Sequence, residues 1–481
     1  MSLFEIWYIL TFLPMKLYFL GIESGPKQRV TLLIVLFCLI FISINISCNS
    51  SNDRNSKLIL MNEKQITVSR KNHSLDNNDN FSPDERFLCY DTRPATLGIA
   101  HCKSVEKVDI KTGQETVLWE PPSIVLGKDA APGIAAASWH PLENKIIFIH
   151  GPFIDEVEER GYYGIPNRTG TTVDGDGKGE LIKLDMRDIT TNNKTTPGAH
   201  RGGTHRHEYS RDGKRVGFTY NDFLLPDYDR TIGYLEPHKN APVGYTHYFT
   251  VILQPAQRGT SKPGEIEKAY GDSWVNKNGT ARAFIGIVRA DDGIHYDTSV
   301  FVAEIPEEVD ITTSYSGDKD TYPTPPEGIT IRRLTHDKWS GGIVRSSLDG
   351  NRIAYLANDS NNINQVFEVS YLYKQKGAHG ESIPRQITRF EKNVATFRWH
   401  PSGNWLFLIT GGNIAAVYTG NNKKYGSTFF LTNDDKERSQ LVVSPDGNIL
   451  AYNRLVPGDD NNEYLQIFLI TLDLKLLNEA I

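Results

Sequence analysis

EYSRDGKRVGFTYND, residues 208–222, reads as a strand end, a tight turn and a second strand. Asp212 and Gly213 offer the positive-φ positions that close a hairpin, and the run from Val216 to Tyr220 is rich in β-branched and aromatic residues. The unit recurs as NFSPDERFLCYDTRP from Asn80, SWHPLENKIIFIHGP from Ser138, RSSLDGNRIAYLAND from Arg345, RWHPSGNWLFLITGG from Arg398 and VVSPDGNILAYNRL from Val442. A degenerate copy, SWVNKNGTARAFIGIVR, starts at Ser273. Where Pro enters the turn it presets φ. A third strand follows most copies, such as SVEKVDI (104–110) or YLQIFLITL (464–472), and often a fourth, such as ETVLWE (115–120) or RQITRF (385–390). Four antiparallel strands per repeat make a propeller blade. Seven copies predict an all-β, seven-bladed β-propeller over 63–481.

The last copy carries three strands and ends near Asp473. Lys64-Gln65-Ile66-Thr67 echoes Arg385-Gln386-Ile387-Thr388, the fourth strand of another blade. The N-terminal strand is therefore expected to close the last blade, which would otherwise end on an open edge. Seven blades need only about 300 residues. The surplus falls in 151–180, 190–204, 223–270 and 306–330, read as loops on a rigid scaffold, where function tends to concentrate. A net charge of −6 gives no basic field for a nucleic-acid backbone. The chain has neither a G-x-S-x-G elbow nor a P-loop lysine motif, and the propeller leaves no room for a separate hydrolase domain.

The N-terminus reads as an address. VTLLIVLFCLIFISINIS (30–47) follows Lys27 and Arg29, and Ser47-Cys48 opens the polar run NSSNDRNS. A positive flank, an apolar stretch and small residues before a cut site describe a secretory leader. The pattern resembles a bacterial lipoprotein signal over 1–47, with Cys48 lipidated and 48–62 a polar tether. The alternative is an uncleaved membrane helix. Both place the body in the cell envelope, on the periplasmic or surface side, held to the membrane by its N-terminal lipid or helix. The chain has four cysteines, too few for a disulfide scaffold. Cys89 and Cys102 would face each other if the segment between them were a hairpin; pairing and two buried thiols both stay open.

Residues leaving the second strand of a blade share one mouth of the ring with those beginning the first. Tyr90-Asp91-Thr92-Arg93, His150, and Tyr220-Asn221-Asp222 leave second strands; Asn77, Asp79 and the run Arg201-Gly202-Gly203-Thr204-His205-Arg206-His207 begin first strands. His205 and His207 are spaced i, i+2, which puts both on one side of a regular strand. Such a pair can chelate a divalent metal or serve as acid and base. Arg201 and Arg93 could fork a carboxylate, with Asp91, His150, Tyr220 and Asp222 completing a ligand site. The alternative is that these histidines bond strand carbonyls.

VEKVDIKTGQE (105–115), FIHGP (148–152), TPGAHRGGTHRHEYSRDGKRVGFTYND (196–222) and IEKAYGDSWV (266–275) together resemble the YidR-like family of bacterial propellers, which groups with TolB-like propellers. The resemblance covers nearly all of the chain from about residue 63. It implies the fold and no particular reaction. A weaker similarity joins the inner-strand histidines to propeller-type polysaccharide lyases, including oligogalacturonate lyases, some of which hold manganese there. The resulting expectation is an envelope propeller that binds, and in one version cleaves, a saccharide or other small polar ligand. His205, His207 and Arg201 would carry the chemistry. The alternative is a TolB-like scaffold for a protein partner, without catalytic groups.

Overall fold

The structure is a computed structural model that describes residues 57–75, 79–336, 339–372 and 383–481. The leader, Cys48, the first part of the tether and Asn77 lie outside the described residues. The body from Lys57 to Ile481 is one compact unit of seven sheets. Blades 2 to 6 each contribute four consecutive antiparallel strands, with innermost strands at Ile134–Trp139, Gly203–Tyr209, Ile266–Trp274, Ser340–Ser346 and Val394–Trp399. In blade 1 the innermost position is reduced to isolated bridges, Ser74 to Asp91 and Phe81 to Leu88.

Blade 7 is closed by the N-terminus, as the sequence predicts. Glu63–Gln65 pairs antiparallel with Glu463–Thr471 in the register Glu63 to Ile470, Lys64 to Leu469 and Gln65 to Phe468. Two additions were not expected. Lys57–Leu58 runs parallel to Thr428–Phe430 and gives blade 6 a fifth strand. The chain also continues past the last strand into a helix, Leu474–Ala480, capped where the Asp473 carboxylate accepts the Leu476 N–H at 2.8 Å. Leu477 of that helix is buried in the joint between blades 6 and 7.

There is no single central core. Seven apolar clusters form, one at each joint between neighbouring blades. Alternate side chains of each strand point to the preceding and the following blade, so both faces are apolar. Cys89 and Cys102 both lie in the joint of blades 1 and 2 as free, buried thiols. Cys89 stands opposite Lys107, so the symmetric hairpin that would have faced the two cysteines does not form.

One local feature decides how the channel is lined. The register slips by a β-bulge in the innermost strands of blades 2 to 7, as between His205 and Glu208. Ala136, Arg206 and Gln440 take φ of 61°, 58° and 54° there, and Gly271 and Gly342 do the same in blades 4 and 5. A left-handed non-glycine residue costs roughly 1–2 kcal/mol. The surroundings hold it in place: the Asp91 carboxylate of blade 1 accepts the Ala136 N–H of blade 2 at 2.9 Å.

Candidate functional site

The bulge separates the two histidines. His205 pairs with Thr219 and Glu208 with Gly217, so two residues, Arg206 and His207, oppose Phe218 alone. His205 and Glu208 therefore share one face of the strand, and Thr204 and His207 the other. A two-histidine chelate or acid–base pair built on i, i+2 spacing does not form. His207 is fully buried against blade 2, its Nε2 3.0 Å from Thr204 Oγ1. Thr204 Oγ1 donates to Asp185 at 2.9 Å, and His200 Nε2 lies 3.2 Å from the same carboxylate. Burial pushes the His207 imidazole down to about 4, so it is neutral at pH 7. A Cβ on Gly170 would lie 2.9 Å from His207 Nε2, which explains a glycine there. His205 is pushed well below the usual histidine range by burial and by the Arg168 and Arg230 charges.

The other candidates form separate structural networks. Arg201, Tyr220 and Asp222 do come together. Arg201 Nε and Tyr220 OH donate to Asp222 Oδ2 at 3.0 and 2.9 Å, while Asp222 Oδ1 accepts the N–H groups of Leu224 and Leu225. Arg201 also donates to the Asp318 carbonyl, pinning the 306–330 insertion over blade 3. All three side chains are buried. Gly202 and Gly203 make room for the chain itself, since added Cβ atoms would meet Asn221 O at 1.9 Å and Ile165 O at 2.2 Å. Asp91 sits 3.2 Å from Arg93 Nε, where it also supports the blade 2 bulge. His150 is buried beside Phe153, with Nδ1 2.5 Å from Gly151 O, and burial lowers it to about 4. Among the described residues no three His, Cys, Asp or Glu side chains converge as a metal site.

A different constellation lies at the other end of the innermost strands, where they run into the repeated turns. A cavity of about 310 Å³ opens there, lined by all seven blades. The position two residues before the turn Ser or His is Asn80, Ser138, Arg398 or Val442 in four blades, Glu208 in blade 3 and Arg345 in blade 5. The next residue is an aromatic wedge in five blades: Phe81, Trp139, Tyr209, Trp274 and Trp399. Trp274 Nε1 donates to Glu208 O and Trp399 Nε1 to Arg345 O, both at 3.0 Å, which fixes the backbone under each charged residue.

The cavity is charged. Arg345 is 6% exposed, and among the described residues none of its three guanidinium nitrogens finds a hydrogen-bond acceptor. Burial, and then the charges of Arg398 and Arg206, hold it well below the usual arginine range. Arg398 donates to Phe397 O at 2.8 Å, and Arg211 to Leu348 O at 2.7 Å from the rim. Glu208 accepts from Ser273 Oγ at 2.8 Å and faces Arg282 at 3.2 Å. Asp79 is open to channel water yet enclosed by the ring; burial, and then Glu208, raise its carboxyl to about 6. The sequence did carry a signal for this site. Three copies read EYS, RSS and RWH where the others have Asn, Ser or Val in first place.

Among solved structures the chain is similar to a prolyl endopeptidase, at 13% identity and TM-score 0.48, over 85% of this chain and 51% of that one, about half its length. It is also similar to oligogalacturonate lyase from Vibrio parahaemolyticus, at 9% identity and TM-score 0.49, over 87% of this chain and 99% of that one. The third is U3-55K, at 9% identity and TM-score 0.46, over 85% and 98%. Residues 133–248, which span blade 2 and most of blade 3, match the family described as "Protein of unknown function (DUF3748)". The "Uncharacterized protein YidR" of Escherichia coli (strain K12) is 32% identical over 420 residues, covering 81% of this chain and 94% of that protein. At that identity and coverage, and with the same chain folded as a seven-bladed ring, the protein belongs to the YidR family.

Proposed function

We propose that the protein is a cell-envelope lipoprotein, anchored through Cys48, whose propeller binds a small hydroxyl-rich anion in the turn-side cavity. One observation carries the binding: Arg345, buried and without an acceptor, among the residues that line that cavity. Glu208 and Asp79 offset part of its charge from a distance, but a buried guanidinium without a hydrogen-bond acceptor stays costly, and an anion that enters supplies that acceptor. Guanidinium forks suit carboxylate and phosphate, and Ser273 beside Glu208 suits hydroxyl groups. His205 shares a strand face with Glu208. The anchoring rests on the apolar run at 30–47 and the Ser47-Cys48 junction.

The test is Arg345→Met, with galacturonate as probe in titration calorimetry. The variant should fold at least as stably as wild type, because a buried charge is gone, yet bind at least about tenfold more weakly. Equal binding by both proteins would remove Arg345, and with it the site.

A further inference from the structure

Among the described residues the charges around the cavity can be paired off, and the remainder bears on the ligand. Arg282 lies 3.2 Å from Glu208 and 2.5 Å from Asp272, and Arg206 lies 3.9 Å from Asp272. These two cations and two anions balance within the wall of blades 3 and 4. Arg211 stands at the rim, facing Asp79 first and then Glu208 and Asp349 of the blade 5 turn. Arg211, Arg345 and Arg398 therefore remain with Asp79 and Asp349, and Asp79 is the carboxylate that lines the cavity with all three. The neighbours of Asp79 are Glu208 and Arg211 from blade 3, Arg345 from blade 5 and Arg398 from blade 6. Blade 2 contributes uncharged contacts, the Trp139 N–H at 2.7 Å and Ser138 Oγ at 3.5 Å, both to the Asp79 carbonyl. Behind it Cys89 is a neutral buried thiol.

Three guanidinium groups against two carboxylates leave one positive charge when Asp79 is ionised, and two when it is neutral. Resting on the binding reading above, we propose that the cavity takes a dianion, and that Asp79 takes up one proton as the dianion enters. The ligand class is a compact polyhydroxylated dicarboxylate or a sugar phosphate, which share two negative charges on a hydroxyl-bearing frame. A dianion placed against Arg345 and Arg398 brings negative charge up to Asp79. That favours the protonated carboxyl, and the proton removes the repulsion. Enclosure and the Glu208 charge raise the Asp79 carboxyl to about 6, so the uptake begins near neutrality.

Galactose, galacturonate and galactarate carry zero, one and two negative charges on nearly the same frame, and glucose 6-phosphate supplies the phosphate form of the dianion. Each is titrated into the mature protein between pH 6 and 8, in two buffers of different ionisation enthalpy. The sugar carboxylates stay ionised over that range, so changes in slope for galacturonate and galactarate report on the protein; glucose 6-phosphate, whose second phosphate pKa is about 6, is compared at pH 8 only. Galactarate or glucose 6-phosphate should bind at least about tenfold more tightly than galacturonate, with galactose weakest. Galactarate affinity should rise by up to about tenfold per pH unit as the pH falls from 8 to 7, with close to one proton taken up per site there and about half a proton at pH 6, where Asp79 is already half protonated. Asp79→Asn should abolish the uptake and flatten the pH dependence while dianions still bind. Galacturonate binding as tightly as galactarate, or dianion binding without proton uptake, overturns the proposal while leaving the anion site standing. Failure of all four compounds to bind overturns both.

Discussion

Glu63 lets ring closure be tested with a single substitution. Its carboxylate accepts from Arg438 Nε at 2.7 Å and Nη2 at 2.8 Å, and from Tyr452 OH; Arg454 lies 3.6 Å away. The Arg438 side chain is fully buried. Removing one partner of a buried pair costs about 3–5 kcal/mol. Two features reduce that figure here. Asp434 still holds Arg438 at 2.8 and 3.0 Å, and Glu63 is partly screened by water. Glu63→Ala should therefore lose about 2–3 kcal/mol, and Glu63→Gln about half of that. Urea unfolding at unchanged m measures it. Burial alone would raise the Glu63 carboxyl, but the hydrogen bonds from Arg438 and Tyr452 and the nearby charges outweigh it and hold it below 4.5. Stability from such a group is complete above its unfolded pKa and is lost as pH falls through the folded one. The gap between wild type and Glu63→Ala should thus be constant near pH 7 and shrink below about pH 4.5. A gap under about 0.5 kcal/mol at pH 7 would refute the view that this strand locks the ring.

Arg201→Ala should cost about 2–4 kcal/mol by leaving Asp222 buried and unpaired, with galacturonate binding in the cavity unchanged; a loss of binding at intact stability would restore it to the site. His207, His150 and His247 are all held near pKa 4, so the unfolded chain binds more protons between about pH 6.5 and 4 and stability should fall as pH drops through that window; His207→Gln should make the fall shallower, read by urea titrations at each pH. Cys48→Ser should move the protein from the membrane fraction to the soluble envelope fraction; retention in membranes would point to the 30–47 segment as the anchor instead. Native Cys89 and Cys102 should resist alkylation, and both should react in urea; an oxidised pair found by mass mapping would contradict the free thiols.

The architecture was legible because it is repetitive. Seven turns, each with Asp-Gly, Asn-Gly or a Pro relative, marked seven hairpins, and the echo between Lys64-Gln65-Ile66-Thr67 and Arg385-Gln386-Ile387-Thr388 marked closure. Lys57–Leu58 was not legible, since a two-residue strand has no period to detect. Nor was the short C-terminal helix, whose one buried side chain is Leu477.

The histidines show where pattern reading stops. An i, i+2 spacing places two side chains together only in a strand that keeps its register, and one left-handed residue, Arg206, breaks it. Nothing about an arginine in the middle of a strand announces positive φ, which is why the bulges in blades 4 and 5, carried by Gly271 and Gly342, are easier to suspect than this one. Once the slip is allowed, Glu208 replaces His207 as the partner of His205, and attention moves down the strand toward the turns. There the repeat becomes informative in the opposite sense. Positions where the copies agree are joints between blades, filled by aromatic wedges and turn residues. Positions where they disagree face the space common to all blades, because a ring of identical charges would repel itself. Arg345, Arg398, Glu208 and Asp79 are such departures. In a ring of copies, the positions to test for ligand recognition are therefore the residues that fail to repeat.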